Sequence, residues 1–326
     1  MEDRLQEILM IALENDVTDI HFSIMDGSGE AAVEMRVHDR MRRLKRNPAD
    51  LKLFHYLMYR ANLDISNALQ PQTGSFEETV GKERLSLRFA IVSGYRRCSG
   101  VLRILNNHSA LAVEDLCADR KTVEWMKQIP DHRWGFYVFS GPTGSGKTTS
   151  LYTILNSVKG KKIYTLEDPI EVVNESYVQL QINEKASFSY AEGIRQLMRH
   201  DPDLLMLGEI RDSTAAKMAV RCALTGHLVV TTLHSSSCVA AVSRLIELGV
   251  DEYQLRDVLK GISCQRLYDT PFGRKTGIYE FMDEKEVAYY FENRRNSGSF
   301  RPLKERIREA AEEGRIEEEE AKKDLA

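Results

Sequence analysis

The sequence lacks both the long apolar runs of a membrane protein and the polar bias of a disordered chain. No apolar run reaches the about 18 residues that a transmembrane helix needs, and residues 1–4 are too polar for a signal peptide. At 42% hydrophobic and 29% charged residues, the composition instead indicates a globular chain. We therefore expect any work at a membrane to depend on docking to partner proteins.

Cysteine is scarce, and an excess of basic residues is missing. The 5 cysteines are scattered without a C-x-x-C pair, which is typical of a reducing cytosol, and we expect no zinc site. The formal net charge is −4, from 45 basic and 49 acidic residues, so the molecule as a whole is not built to bind a polyanion. We expect no direct nucleic-acid binding, because the sequence shows no basic, aromatic-rich channel.

The sequence predicts two domains, and its 326 residues are enough for two domains of ordinary size. Residues 1–105 predict a small mixed α/β domain, and the polar residues 106–120 predict a linker. Apolar periodicity predicts helices at residues 5–12 and 51–63, and strands at residues 19–24, 32–37, 85–92 and 101–105. Proline and glycine in residues 70–74 predict a turn.

The second predicted domain, residues 121–326, repeats a strand, a loop and a helix. Runs that are apolar on both faces, typical of buried parallel strands, cover residues 136–140, 163–166, 204–207 and 228–233. Each run ends in polar residues, and open parallel sheets bind ligands outside the carboxyl ends of their strands. The pattern therefore predicts one ligand site at that edge. The charged residues 301–326 predict a solvated helix.

The segment after the first of these runs has the spacing G-x-x-x-x-G-K-[ST] of a phosphate-binding loop. Its members are Gly141, Pro142, Thr143, Gly144, Ser145, Gly146, Lys147 and Thr148, followed by Thr149. Glycines let backbone N–H groups turn inward around phosphate oxygens, and a helix N-terminus adds partial positive charge. The motif predicts a nucleoside triphosphate with Mg²⁺, with Lys147 on the β- and γ-phosphates and Thr148 on the metal.

Carboxylates follow two other runs and are the candidate metal-binding and water-activating groups. Glu209 ends an apolar strand and is expected to hold the magnesium shell or to orient the water. The alternative for Glu209 is an ion pair with Arg211. Glu167, Asp168 and Glu171 surround a proline, and the alternative for Asp168 is a helix cap. The residues leave open whether Glu171 or Glu209 is the base.

Histidines and arginines are the remaining candidates. His227 and His234 bracket the last of the apolar runs, and His234, at its carboxyl end, is expected to sense the γ-phosphate. Another domain or subunit can supply an arginine to a transferring phosphoryl group. The β-rich half of the first domain contains Arg88, Arg96 and Arg103. From the residues alone, surface charge is the preferred interpretation of these arginines.

Together and in this order, the motifs resemble those of the secretion ATPases, the family that powers type II secretion and type IV pilus machines. The resemblance covers nearly the whole chain. The matching segments are residues 17–22, 64–74, 141–149, 165–171, 199–212, 225–234, 265–267 and 273–280. The resemblance implies an α/β fold, with a RecA-like P-loop ATPase core behind a smaller PAS-like α+β N-terminal domain.

The resemblance also implies a function. Members of the family hydrolyse ATP as homo-hexameric rings in the cytoplasm, at the inner face of the cell membrane, and drive an inner-membrane platform protein of the pilus machine. In the family, arginines at the positions of Arg88, Arg96 and Arg103 face the phosphates. We expect ATP and Mg²⁺ as cofactors, with Mg²⁺ held by Thr148 and Glu209, directly or through water.

Departures from the family pattern indicate which branch of the secretion ATPases this chain resembles most. No cysteine pair of a zinc insert follows Leu267, and the C-terminal alanine-isoleucine-arginine signature of retraction motors is absent. The combination most resembles the competence-pilus ATPases of Gram-positive bacteria, which serve DNA uptake. The alternatives are a pilus-retraction or type II secretion motor and, in other classes, a nucleic-acid translocase or an ATP-binding scaffold.

Overall fold

The computed structural model describes most of the chain. The described residues are 1–15, 17–25, 27, 29–37, 40–67, 70–105, 111–182, 188–271, 273 and 275–325. Backbone contacts divide the chain into two compact units, Met1–Ser109 with Glu171–Val173, and Ala110–Ile170 with Asn174–Ala326. The predicted linker begins in residues 106–110, which lie outside the described residues. Within the described ranges, no helix is long and apolar enough to cross a membrane.

In its described residues, the first unit combines two α-helices with a six-stranded antiparallel sheet. Its helices are α1 (Glu2–Glu14) and α2 (Asp50–Arg60). Its strands are β1 (Asp19–Met25), β2 (Ala31–Val37), β3 (Arg40–Arg43), β4 (Gln72–Val80), β5 (Glu83–Gly94) and β6 (Arg97–Ile104). The strand order is β3-β2-β1-β6-β5-β4.

The core of the first unit is centred on three phenylalanines. The rings of Phe54 and Phe89 lie 5.3 Å apart and those of Phe22 and Phe89 lie 6.0 Å apart, both edge to face. Gly100, on β6, leaves room for these rings. A Cβ at Gly100 would lie 2.6 Å from the ring of Phe54 and 2.8 Å from that of Phe89.

Two strands of this sheet, β3 and β4, lack the apolar pattern by which strands are predicted from a sequence. β4 begins at Gln72, so the predicted turn at residues 70–74 is wrong from that residue onward. β4 alternates half-buried and exposed residues as far as Val80, and all four residues of β3 are exposed. Both strands lie at sheet edges, where no buried face imposes an apolar alternation.

The second unit is a seven-stranded sheet with helices along its length. Its strands are β7 (Gly135–Ser140), β8 (Ile163–Glu167), β9 (Val178–Gln181), β10 (Leu204–Leu207), β11 (Leu228–Leu233), β12 (Leu259–Asp269) and β13 (Lys275–Met282). Its helices are α3 (Arg120–Gln128), α4 (Lys147–Ser157), α5 (Tyr190–Leu197), α6 (Ser213–Leu224), α7 (Cys238–Glu247), α8 (Glu252–Val258), α9 (Glu284–Asn293), α10 (Leu303–Glu312) and α11 (Glu318–Leu325).

The strand order of this sheet is β13-β12-β7-β11-β10-β8-β9, and only β13 runs antiparallel to its neighbour. The four predicted buried strands are confirmed as β7, β8, β10 and β11, which contain no exposed residue. They are adjacent and parallel, so their carboxyl ends meet at one edge of the sheet.

The charged tail folds onto the second unit. It was predicted as a solvated helix, but α10 buries Leu303, Ile307 and Ala310. These residues recur every three to four positions, so one apolar stripe of the helix faces the core while the charged residues face solvent. The prediction of a merely solvated helix is therefore wrong for α10.

We predict that Gly100→Ala destabilises the first unit, because the added methyl group must displace the rings of Phe54 and Phe89. Overpacking of this kind typically costs about 1–3 kcal/mol of unfolding free energy. Urea unfolding followed by circular dichroism measures it. Gly94→Ala, in the same hairpin, is the matched control, because its Cβ would meet only the Arg97 carbonyl oxygen at 3.9 Å. Equal stability of the two variants would contradict the prediction.

Candidate nucleotide-binding site

The loop between β7 and α4 is shaped by glycines with positive φ angles. The angle is +147° at Gly141, +80° at Gly144 and +83° at Gly146, values that residues with a side chain rarely adopt. At Gly141 a Cβ would also lie 2.6 Å from the carbonyl oxygen of Gln265. The loop leads directly into the N-terminus of α4, where N–H groups without intrahelical partners favour an anion.

Lys147 folds back over this loop. Its Nζ donates hydrogen bonds to the carbonyl oxygens of Gly141, at 3.0 Å, and Pro142, at 2.9 Å. Ser145 Oγ is buried, and no hydrogen-bond partner for it occurs among the described residues. Because a buried hydroxyl without a partner is costly, an acceptor such as a phosphate oxygen would stabilise it. The loop, Lys147 and Ser145 therefore fit a polyphosphate.

Glu167, the last residue of β8, is a buried carboxylate. Its oxygens accept hydrogen bonds from Tyr152 Oη at 2.7 and 2.8 Å, from Thr165 Oγ1 at 2.6 Å and from Gln179 Nε2 at 3.3 Å. Gly208 lets the next strand end approach it, since a Cβ there would lie 3.3 Å from Glu167 Cγ. These contacts fix the Glu167 side chain among hydroxyl and amide groups of the protein interior.

Arg211 joins the ends of two strands. Its Nε donates to Glu209 Oε1 at 3.0 Å, and its Nη1 donates to Asp168 Oδ2, also at 3.0 Å. The hydrogen bond with Glu209 is the main reason why the pKa of Arg211 is raised. The ion pair considered as the alternative for Glu209 therefore exists. The helix cap considered for Asp168 is wrong, because no helix lies between Asp168 and β9, a stretch that the structure describes throughout.

His234 lies beside Glu209, directly after β11. Its Nε2 is 3.7 Å from Glu209 Oε1. Burial lowers the pKa of His234, and the positive charge of Lys147 lowers it further, whereas Glu209 raises it. A lowered pKa keeps the imidazole neutral at physiological pH, so that it can both donate and accept a hydrogen bond. The structure thus brings Lys147, Glu209 and His234 together at the carboxyl edge of the sheet.

His227 lies at the opposite end of β11. Its carbonyl oxygen accepts from the Gly135 N–H at 3.1 Å, and its Nδ1 lies 3.2 Å from Thr225 Oγ1 and 3.3 Å from the Cys222 carbonyl oxygen. At about 3.3 Å per residue, the strand separates the two histidines by roughly 20 Å. The structure therefore does not bring His227 to the phosphate-binding edge of this chain, and its catalytic role stays a prediction.

The arginines of the first unit do not form one group. Arg88 and Arg103 are direct partners across β5 and β6, and Arg103 Nε donates to Asp19 Oδ1 at 2.7 Å. Arg96 lies in the turn between these strands, exposed and with φ at +58°. Glu171 is also exposed and belongs to the first unit. Roles for these four residues stay predictions.

The metal expected at this site is Mg²⁺. Thr148 and Thr149 are half-buried in the first turn of α4, and Glu209 follows β10, so Thr148 and Glu209 offer oxygen donors at the same sheet edge. Mg²⁺ keeps several waters and takes only one or two protein ligands beside phosphates. In the described part of the chain, no group of three or more His, Cys, Asp or Glu side chains could hold a metal. The residues present fit a nucleotide-bound Mg²⁺ rather than a cage made by the protein.

Two residues of the site were missed from the sequence. The sequence offers Arg211 only as an ion-pair partner of Glu209, whereas in the structure Arg211 also donates to Asp168. Gln265 lies in the family-matching segment 265–267, which gives it no role, whereas its amide contacts the phosphate-binding loop. Gln265 has no local signal in the sequence, because Ser263 and Gln265 interrupt the apolar pattern of the strand that buries them.

Comparisons with known proteins agree with the fold and with the family resemblance. The family described as "Type II/IV secretion system protein" matches residues 1–315. Competence protein ComGA of Bacillus subtilis is 34% identical over 257 residues, which are 77% of this chain and 72% of that protein. A putative type II secretion system protein E of Escherichia coli is 35% identical over 271 residues, 81% of this chain and 54% of that protein.

Among solved structures, the pilus retraction motor PilT with bound ADP is similar, with a TM-score of 0.76 and 23% identity over 98% of this chain and 96% of that chain. At this identity the similarity shows the fold alone. That fold is the predicted one, an α/β protein with a RecA-like P-loop ATPase core and a smaller PAS-like α+β N-terminal domain.

We predict that the pKa of His234 lies below 6.5, for the reasons of burial and charge given above. NMR titration of the imidazole measures it. Lys147→Met removes a positive charge and should raise this pKa, whereas Glu209→Gln removes a negative charge and should lower it. A pKa above 6.5, or the same pKa in all three proteins, would show that these groups do not act on His234.

Proposed function

The chain belongs to the family of type II/IV secretion system proteins, and on that premise we propose that it is an ATP-hydrolysing motor that assembles a competence pilus. The observation that carries the proposal is the meeting of Lys147, Glu209 and His234 beside a glycine-shaped phosphate-binding loop. The similarity to a ComGA protein supports the competence branch. A type II secretion motor is the alternative, because a relative of that name matches as well.

Several groups of the loop would hold ATP. Lys147 Nζ would exchange the carbonyl oxygens of Gly141 and Pro142 for phosphate oxygens, and Ser145 Oγ would donate to another. Thr148 would hold Mg²⁺ directly, and Glu209 would hold it through a water. Bound Mg²⁺ neutralises phosphate charge, and ATP provides the phosphoanhydride bond that water cleaves.

We assign the general base to Glu209. Its carboxylate is part-exposed and lies 3.7 Å from His234, so a water at the same edge is within reach of both groups. Glu167 is buried and already accepts hydrogen bonds from Tyr152 and Thr165, so we assign it a positioning role at the end of β8. Glu171 stays the alternative base.

The mechanical part of the proposal rests on the family resemblance. We infer a homo-hexamer in the cytoplasm that acts at the inner face of the membrane through a platform protein, with Arg88, Arg96 and Arg103 as candidate countercharges for the phosphates. A ring fits a motor, because hydrolysis moves nothing unless a second surface responds to it.

Phosphate release from purified protein tests the activity. We expect Lys147→Ala and Glu209→Ala each to lower steady-state turnover by about 100-fold or more, since each removes a charge from the reacting phosphates or water. Lys159→Ala is the matched control, because Lys159 is exposed and follows α4 at its far end. Folded variants with wild-type turnover would overturn the site assignment, and an inactive wild type would favour the ATP-binding scaffold.

Mass photometry tests the assembly. A non-hydrolysable ATP analogue with Mg²⁺ should increase the population of a six-chain species, because a ligand that binds the assembled form stabilises that form. Lys147→Ala should show a weaker response at the same analogue concentration. A single-chain mass at every analogue concentration that saturates binding would contradict the proposed ring.

A further inference from the structure

Gln265 is a polar residue in the interior of the second unit. It lies on β12, is fully buried, and follows Cys264, the register partner of Ser140 at the end of β7. Gln265 therefore stands level with Gly141, where the phosphate-binding loop begins. This position places a long amide side chain against the face of the loop that is turned toward β12, which is called the back of the loop below.

The amide of Gln265 contacts the loop and the helix after it. Its Nε2 donates to the Ser145 carbonyl oxygen at 2.7 Å and to Ser150 Oγ at 3.2 Å. Ser150 Oγ in turn donates to the Gly146 carbonyl oxygen at 3.0 Å and lies 2.8 Å from Tyr279 Oη. The side chains of Gln265, Ser150 and Tyr279 are buried, so the contacts among them are made away from water.

The contact with Ser145 sets the direction of a peptide group. In a planar trans peptide the C=O and the following N–H point in opposite directions. Because the Ser145 carbonyl points to Gln265, the N–H of Gly146 points away from Gln265, toward the side of the loop where the proposed phosphates would lie. A loop carbonyl facing that side would instead repel phosphate oxygens.

We propose that Gln265 is a positioning residue of the nucleotide site, which holds the Ser145–Gly146 peptide with its N–H toward the phosphates; the inference rests on the proposed function. The Lys147 contacts with the loop must be exchanged when phosphates bind, but the Gln265 contact lies at the back of the loop and persists. Gln265 thus preserves the shape of the loop while Lys147 changes partners.

Glutamine suits this role because one nitrogen carries two N–H groups. One N–H serves the Ser145 carbonyl oxygen and the other Ser150 Oγ, while Ser150 uses its own hydrogen on the Gly146 carbonyl oxygen. A glutamate has the same shape but no donor when ionised, and a methionine has a similar size but no donor at all. The two substitutions therefore remove the donor to the Ser145 carbonyl oxygen with little change in volume.

Binding of a non-hydrolysable ATP analogue with Mg²⁺, measured by calorimetry, tests the proposal. We expect Gln265→Met and Gln265→Glu to raise the Kd about tenfold, since each loses at least one buried hydrogen bond that orients a phosphate donor. Gln254→Met is the matched control, because Gln254 is exposed on α8. Tyr279→Phe removes the hydroxyl on Ser150 but leaves the bond to Ser145, and should keep the Kd within about twofold of wild type.

Thermal unfolding of the same proteins separates positioning from stability. A merely structural Gln265 would lower the Tm of Gln265→Met and of Tyr279→Phe while leaving the Kd of both unchanged, and that result would overturn the proposal. If Gln265→Met does not fold, Gln265→Glu carries the test. A wild-type protein that binds no analogue would overturn the proposed function itself, whereas tight binding by both wild type and the folded variants would overturn this inference alone.

Discussion

The side-by-side register of four buried parallel strands is the constraint on which the site depends. Ser140 pairs with Leu233, and Leu207 pairs with both Thr231 and Leu166, so the strand ends emerge next to one another. Because both faces of these strands are buried, a slip of one residue would exchange the residues that face the two sides of the sheet. The apolar core therefore fixes where the charged groups lie.

Charged groups at this edge are engaged by the protein in different ways. Lys147 bonds to loop carbonyls, Arg211 to two carboxylates and Glu167 to neutral hydroxyls and an amide. When a ligand takes the place of such partners, each new bond replaces an existing one, so the net gain in free energy is smaller than the strength of the new bond. Selectivity for a ligand then depends on the shape of the site. The loop glycines and Gly208 produce that shape, because they allow the backbone to approach closely.

The sequence predicts the parts of this molecule that have a local signature. The apolar runs of β7 and β11, the glycine spacing of the loop and the position of His234 after a strand are all readable without a fold. β4 and β12 are not, because an edge strand has no buried face to mark it, and β12 places Ser263 and Gln265 in the core. The contact between Arg211 and Asp168 can be predicted only when the strand order is known, because it forms only where β8 lies beside β10.

Arg211 links the carboxyl ends of β8 and β10. The guanidinium of Arg211 donates to Glu209 from one edge and to Asp168 from another. A displacement of either carboxylate would therefore also change the contact with the other one. The chain that follows Asp168 has neither helix nor strand until Val178. A displacement of Glu209 would therefore also weaken the contact that holds Asp168, at the start of a segment without helix or strand.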